Sequence, residues 1–338
     1  MKPIFNSKEM MAYAHQSNEF NNVLHVAHHE WHGIRNATAS CPGNKLLISA
    51  DTELTELDKF QISSEIEKKD YRIIVFQGYS LNADELLLYL KAKFGDDLRC
   101  FAITHVNTVQ FENYFELRIQ EKLFLRKKYG ILEKIASVKP GFGLIFETYW
   151  KETIINFAPK VEEEEFMKFD KTISIYCPLE SSWRKNLYTN VLAATLIENV
   201  KIVKLTNYPN GLENIFNLNK LRLVGFLEGR KLLQEMANST IIIMVTLAEC
   251  QPMTQLESFA VGTPSLTGPL QLKEFQNDEL YKISTCKTVD NPILIKKAIE
   301  RLLEEINNHP SSIKEMIKCH LALRHKIAFQ RYLDFING

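Results

Sequence analysis

At 338 residues the chain is longer than one hydrophobic core usually serves, so two domains are expected. Apolar residues make up 45% and charged residues 24%, an ordinary balance for a globular protein. The 41 Lys plus Arg offset 41 Asp plus Glu, which excludes the overall basic field of a nucleic-acid-binding chain, so no nucleic-acid partner is expected.

The start, Met1-Lys2-Pro3-Ile4-Phe5-Asn6-Ser7, carries no apolar leader core, and no run approaches the ~20 apolar residues that cross a bilayer. Cys41, Cys100, Cys177, Cys250, Cys286 and Cys319 are scattered without CxxC spacing, which argues against a zinc site or a disulfide framework. A reduced, cytoplasmic protein is expected.

In chain order, strand-like runs occur at Val23–Ala27, Lys45–Ser49, Arg72–Phe76 and Cys100–Thr104. A helix is predicted over Asn82–Leu90, and a longer one follows the fourth strand from about Gln110 to Tyr129. Four consecutive carboxylates, Glu162–Glu165, repel one another and read as an exposed linker over 161–171; a metal-binding cluster is the alternative, but adjacent residues do not converge. The alternation then restarts with strands at Thr172–Tyr176, Val200–Leu205, Leu221–Phe226 and Thr240–Val245. Helices are predicted around 186–197, 230–236 and Glu257, and then over 292–306 and 312–335. Two α/β doubly wound halves in tandem account for this pattern, with ligands expected outside the carboxyl ends of the strands.

GxGxxG, P-loop, GxSxG and HExxH strings are absent; the nearest, Pro140-Gly141-Phe142-Gly143, lacks a strand–turn–helix setting. The informative run is Ala248–Pro264, which starts at the carboxyl end of the strand ending at Val245. Pro252 suits the first turn of a helix, and the N–H groups near Met253 and Thr254 would then favour an anion. Glu249 precedes that helix and Glu257 lies about two turns along it, while Leu256, Phe259 and Ala260 have the spacing of a buried face. Gly262-Thr263-Pro264 ends the helix. A carboxylate at a strand end suits vicinal hydroxyls, although a helix with two surface glutamates is the plainer alternative.

This run resembles the E-x7-E signature of retaining GT-B glycosyltransferases, particularly family-four enzymes, followed by their Leu-Glu-Ala-Met-Ala-x-Gly-x-Pro pattern, here Leu256–Pro264. Leu223–Gly229 followed by Leu232–Ala237 resembles the stretch that precedes the signature. The resemblance implies a GT-B fold of two Rossmann-like domains facing a central cleft, with the last helix returning to the first domain. The implied boundaries are 1–165 for an acceptor-binding domain, 166–320 for a nucleotide-sugar donor domain and 321–338 for the returning helix. It also implies a metal-independent transferase that moves a sugar with retention from a nucleotide sugar, UDP- or GDP-linked, to a glycan, lipid-linked or other cell-envelope acceptor.

By the same resemblance, Glu249 contacts the donor sugar, Glu257 the ribose, and the amides of Gln251, Met253 and Thr254 line sugar and phosphates. Lys185-Asn186 stands where the family has Lys-Gly, which makes Lys185 a phosphate ligand. The usual arginine position holds Glu180, with Arg184 the nearest substitute. A single Gly33 stands for a glycine pair facing the phosphates, and His105, at the end of the fourth strand, matches a histidine at the reaction centre. Between His28 and Asn36 a cleft-lining loop is expected, with Trp31 and His32 toward the acceptor; His28-His29-Glu30-Trp31-His32 also invites a metal reading, although it is not HExxH. The basic stretch Lys122–Tyr129 is either a solvated helix face or a peripheral contact with the inner membrane face. Rival readings are an epimerase or phosphorylase on the same fold, or a non-catalytic glycosyltransferase-like subunit.

Overall fold

The computed structural model describes residues 2–162, 165–166, 172–207 and 218–338. The chain forms two compact units, Met1–Lys160 with Lys326–Gly338, and Val161–His325.

The first unit contains β1 (Ile4–Phe5), α1 (Lys8–Met11), β2 (Val23–His28), α2 (His32–Ser40), β3 (Asn44–Ile48), α3 (Glu56–Lys69), β4 (Ile73–Gln77), α4 (Leu81–Phe94), β5 (Arg99–Thr104), α5 (Tyr114–Lys128), β6 (Lys134–Ser137) and α6 (Phe142–Ile145). Its sheet runs β1-β3-β2-β4-β5-β6, parallel except for the β1 edge. The chain leaves β2 toward β3 on one side and later returns to β4 on the other, so the order reverses between β2 and β4. Their carboxyl ends flank the crevice where such sheets hold ligands. All six residues of β2 are buried, as a central strand covered on both faces requires.

The second unit contains β7 (Ser174–Cys177), α7 (Leu187–Thr195), β8 (Ile202–Leu205), β9 (Leu221–Leu223), α8 (Gly229–Ala237), β10 (Ile241–Met244), α9 (Met253–Ala260), β11 (Ser265–Thr267), α10 (Glu279–Ile283), α11 (Pro292–Asn308) and α12 (Pro310–Asn337). Its sheet is wholly parallel in the order β11-β10-β7-β8-β9, with the reversal between β7 and β10. The core here packs Ile175, Val191, Val203, Ile243 and Phe259 with Ile295, Ile299 and Ile317 of the late helices. The helix α12 begins in the second unit, and its residues from Lys326 on belong to the first. There Phe335 meets Phe101 and Trp150, and Tyr332 meets Phe157.

Several boundaries differ from the sequence reading. The helix expected from Gln110 is broken: a 3-10 turn covers Thr108–Glu112, and Asn113 caps α5 by accepting from the Phe115 N–H. The strand expected to reach Phe226 stops at Leu223, two residues before Gly225 takes φ +76°. The expected loop after the first strand is cut short, because His32 already opens α2. The acidic linker falls partly outside the described residues, at 163–164 and 167–171. Glu165 is described and pairs with Arg230 at 2.9 Å.

Candidate functional site

In the second unit, two loops meet at the carboxyl ends of β7 and β10. The loop after β7 closes with a 3-10 turn, Trp183–Lys185, and then Asn186 at φ +56°. That left-handed conformation favours glycine and tolerates asparagine, so the backbone at Asn186 is one that glycine could also adopt. Asn186 donates to the Val245 carbonyl at 3.1 Å, and Asn190 of α7 both donates to that carbonyl, at 2.9 Å, and accepts from the Val245 N–H at 3.0 Å. Leu247 N–H donates to the Arg184 carbonyl at 3.0 Å, so the loops are stitched by backbone as well as side chains.

This stitching brings three of the anticipated residues together. Glu249 Oε1 accepts from Arg184 Nη1 at 3.1 Å and from Lys185 Nζ at 2.5 Å, and Arg184 Nη1 also donates to the Ala248 carbonyl at 2.9 Å. Arg184 and Lys185 are adjacent, yet both side chains reach one carboxylate, which is 13% exposed. Charge-assisted hydrogen bonds of this kind are stronger than neutral ones, and partial burial limits their screening.

The helix α9 begins at Met253, with Pro252 at the N-cap at φ −67°, one position earlier than the first-turn placement read from the sequence. Met253 and Thr254 therefore open the helix at the crevice. Glu257 is buried in the same helix, on the side of Tyr176, whose hydroxyl is 3.0 Å from Thr206 Oγ1. Gly262, at φ +71°, follows the C-cap Val261, as the Gly-x-Pro ending requires.

Gln251 is held by a residue that sequence reasoning missed. Arg324 of α12 donates from Nη2 to Gln251 Oε1 at 2.7 Å and stacks its guanidinium 5.1 Å from the centre of the Phe275 ring. Burial lowers the Arg324 pKa to about 10. The signal was present: Ile313, Ile317, His320, Arg324 and Ala328 are buried at helical spacing, and a guanidinium on such a stripe needs a partner inside.

In the first unit, His105 follows β5 directly and its Nε2 lies 2.9 Å from Gln77 Oε1. Burial lowers its pKa to about 4, so the ring is neutral near pH 7. Gln77 Nε2 lies 3.1 Å from His25 Nδ1 and donates to the Tyr332 hydroxyl at 3.2 Å, which joins three elements behind His105. Across the strand reversal, His28 Nε2 lies 2.8 Å from Ser80 Oγ, the hydroxyl that also caps α4. Burial lowers the His28 pKa to about 4 as well.

The structure corrects the picture of a loop carrying Trp31, His32 and Gly33. Trp31 is the N-cap of α2, with its ring 4.1 Å from that of His28, and His32 and Gly33 form the first turn. A Cβ built at Gly78 would stand 3.0 Å from the Trp31 ring, so this ring lies over the β4–α4 turn. Open space surrounds Gly33, and His32 Nδ1 pairs with Arg35. Glu30 accepts from Ser49 Oγ at 2.6 Å and from the Ala50 N–H at 2.8 Å, which ties its carboxylate to the next turn. Among the described residues, no group of three or more His, Cys, Asp or Glu is arranged to hold a metal. The basic stretch is largely engaged within the fold: Lys122 and Arg126 pair with Asp84, and Lys127 donates to the Glu133 carbonyl. No helix among the described residues is long and apolar enough to cross a membrane.

No protein family and no curated protein matches the chain by sequence. Solved structures do share its fold. The Anabaena protein HepE, solved with UDP and glucose, superposes with a TM-score of 0.61 at 11% identity, covering 94% of this chain and 100% of that one. A sucrose-phosphate synthase from Thermosynechococcus elongatus gives 0.58 at 12% identity over 94% and 99% of the two chains. An alpha-glucosyltransferase, solved with UDP-glucose and DNA containing an abasic site, gives 0.56 at 12% over 96% and 100%. At these identities the likeness establishes the fold: two Rossmann-like parallel-sheet domains of the GT-B class.

Proposed function

We propose that this chain is a glycosyltransferase that moves a sugar from a nucleotide sugar to a hydroxyl of a carbohydrate acceptor, free or lipid-linked, with retention and without a metal ion. The observation that carries the reading is the meeting of Arg184, Lys185 and Glu249 where β7 and β10 end, with α9 opening beside them. Fixed cations beside a helix N-terminus suit a diphosphate leaving group, whose charge grows as the glycosidic bond breaks. Glu257, two turns along α9, is assigned to the ribose hydroxyls, and Glu249 to the donor sugar. The amides of Gln251, Met253 and Thr254 line the sugar and phosphates. Several solved structures of this fold hold UDP or UDP-glucose, which supports a UDP-type donor, with a GDP-sugar the alternative.

No protein nucleophile is assigned, so the acceptor hydroxyl attacks from the face the diphosphate leaves, and a departing phosphate oxygen takes its proton. His105, neutral near pH 7, is assigned to the reaction centre as a hydrogen-bonding group. Trp31, His32 and Gly33 form the turn assigned to the same half, Gly33 toward the phosphates and the other two toward the acceptor. The test is release of free nucleoside diphosphate from a panel of UDP-, GDP- and ADP-sugars with and without acceptor sugars, repeated with EDTA, and the product anomer read by NMR. Failure to bind or turn over any nucleotide sugar would refute the proposal, and an inverted anomer would refute retention.

A further inference from the structure

A phosphate clamp is expected to present its cations to the ligand. Here the two cations face a carboxylate of their own chain: Glu249 Oε1 takes hydrogen bonds from both Arg184 Nη1 (3.1 Å) and Lys185 Nζ (2.5 Å). All three side chains are largely sheltered from solvent, with exposures of 22%, 20% and 13% for Arg184, Lys185 and Glu249. Nor is the cluster loose, since Arg184 is also held by the Ala248 carbonyl and by the backbone bond from Leu247. A phosphate oxygen in the same place would need the same donors.

We infer that Glu249 is an internal counter-ion that a diphosphate must displace, so that engaging the phosphates frees this carboxylate for the sugar. This rests on the proposed donor site and adds an order of events to it. While the cations are neutralised, Glu249 is committed to them and serves a sugar hydroxyl poorly. When a ligand of higher charge takes Arg184 and Lys185, the carboxylate loses its partners and turns to the nearest polar group, a hydroxyl of the attached sugar. A diphosphate, with more charge than the single carboxylate, wins this exchange; a monophosphate gains less. The site therefore discriminates by charge as well as by shape, and diphosphate and sugar bind cooperatively.

The test uses inorganic pyrophosphate and UDP as probes, measured by calorimetry on the full chain. With its counter-ion neutralised, Glu249→Gln is expected to bind both about tenfold more tightly than the unaltered protein, while losing sugar transfer. The double variant Glu249→Gln/Arg184→Gln restores the net charge of the cluster and is expected to return to about the starting affinity, and Lys185→Gln to fall below it. Far-UV circular dichroism checks that each variant is folded; should Glu249→Gln fail to fold, Glu249→Asp, whose shorter carboxylate pairs less closely, is expected to tighten binding in the same direction. Equal or weaker pyrophosphate binding in folded Glu249→Gln, with binding by the unaltered protein intact, would overturn the displacement while leaving the donor site standing. If neither probe binds any form, the donor site and the displacement fall together.

Discussion

Replacing Asp84 by Asn asks whether the basic face of α5 serves the fold or an outside partner. The carboxyl is 4% exposed and lies between Arg126, whose Nε and Nη2 donate at 2.7 and 2.8 Å, and Lys122 at 2.9 Å, with the Tyr79 hydroxyl donating at 2.9 Å. Removing one member of a fully buried ion pair costs about 3–5 kcal/mol, because the partner charge is left behind. Here Arg126 is 15% and Lys122 30% exposed, so both keep a path to water, and Asn still offers a neutral acceptor. The expected cost is therefore about 2 kcal/mol, between a buried pair and an exposed one. Urea unfolding followed by circular dichroism, with the slope unchanged, gives the number. A loss below about 0.5 kcal/mol, the level of an exposed surface pair, would refute the assignment and return Lys122 and Arg126 to the pool available for an external anion.

Phe335→Ala removes a fully buried ring that contacts Phe101 and Trp150, and should destabilise the first unit by about 3–5 kcal/mol in the same assay; a change under about 1 kcal/mol would mean the end of α12 adds little there. Burial lowers the pKa of His25, His28 and His105, the last two to about 4, against an ordinary value near 6.5. The unfolded chain therefore binds more protons than the folded one between about pH 6.5 and 4, and the unfolding midpoint should fall as pH drops through that window; a midpoint flat from pH 7 to 4.5 contradicts neutral histidines at these positions. For Asp84 burial works upward, but the hydrogen bonds from Arg126, Lys122 and Tyr79 outweigh it and hold the pKa below the ordinary carboxylate value. Its contribution is thus intact above about pH 4 and lost only as pH falls further. Glu257→Gln should raise the KM for the donor about tenfold or more with a smaller effect on kcat, because the proposed ribose contact would be made equally in ground and transition states; unchanged rates at limiting donor would remove Glu257 from the ribose role.

Long apolar runs were legible in the sequence because a central parallel strand is buried on both faces: Val23–Ala27 and Thr240–Val245 lie on β2 and β10 nearly residue for residue. The short strands β1, β6 and β11 escaped notice, since two to four residues carry no period of their own and are ordered by neighbouring strands. The helix α3 was missed for a different reason: Phe60, Ile62 and Ile66 are diluted by charged and polar residues, and its clearest signal is the Thr55–Asp58 capping box. At the candidate site, residue types at fixed spacing pointed to Glu249, Glu257 and Lys185. Spacing could not show that Arg184 and Lys185 would share one carboxylate, because that depends on how two loops far apart in sequence are stitched together. Nor could it show Gln251 held by Arg324, 73 positions along the chain. Capping and periodicity are local, whereas ion pairs between loops are set by the closed sheet.

The path of α12 bears on how the chain is made. Because Lys326–Gly338 belongs to the first unit while Val161–His325 forms the second, the second unit is an insertion within the first. During folding, the second unit can assemble from one continuous segment, whereas the first must recover Tyr332, Phe335 and Ile336, all of them buried, from beyond that segment. The half that emerges first is completed last. While Lys326–Gly338 is undocked, Phe101 of β5 and His25 of β2 lack the rings of Phe335 and Tyr332, so the last helical turns act as a late-fitting plug for the first unit.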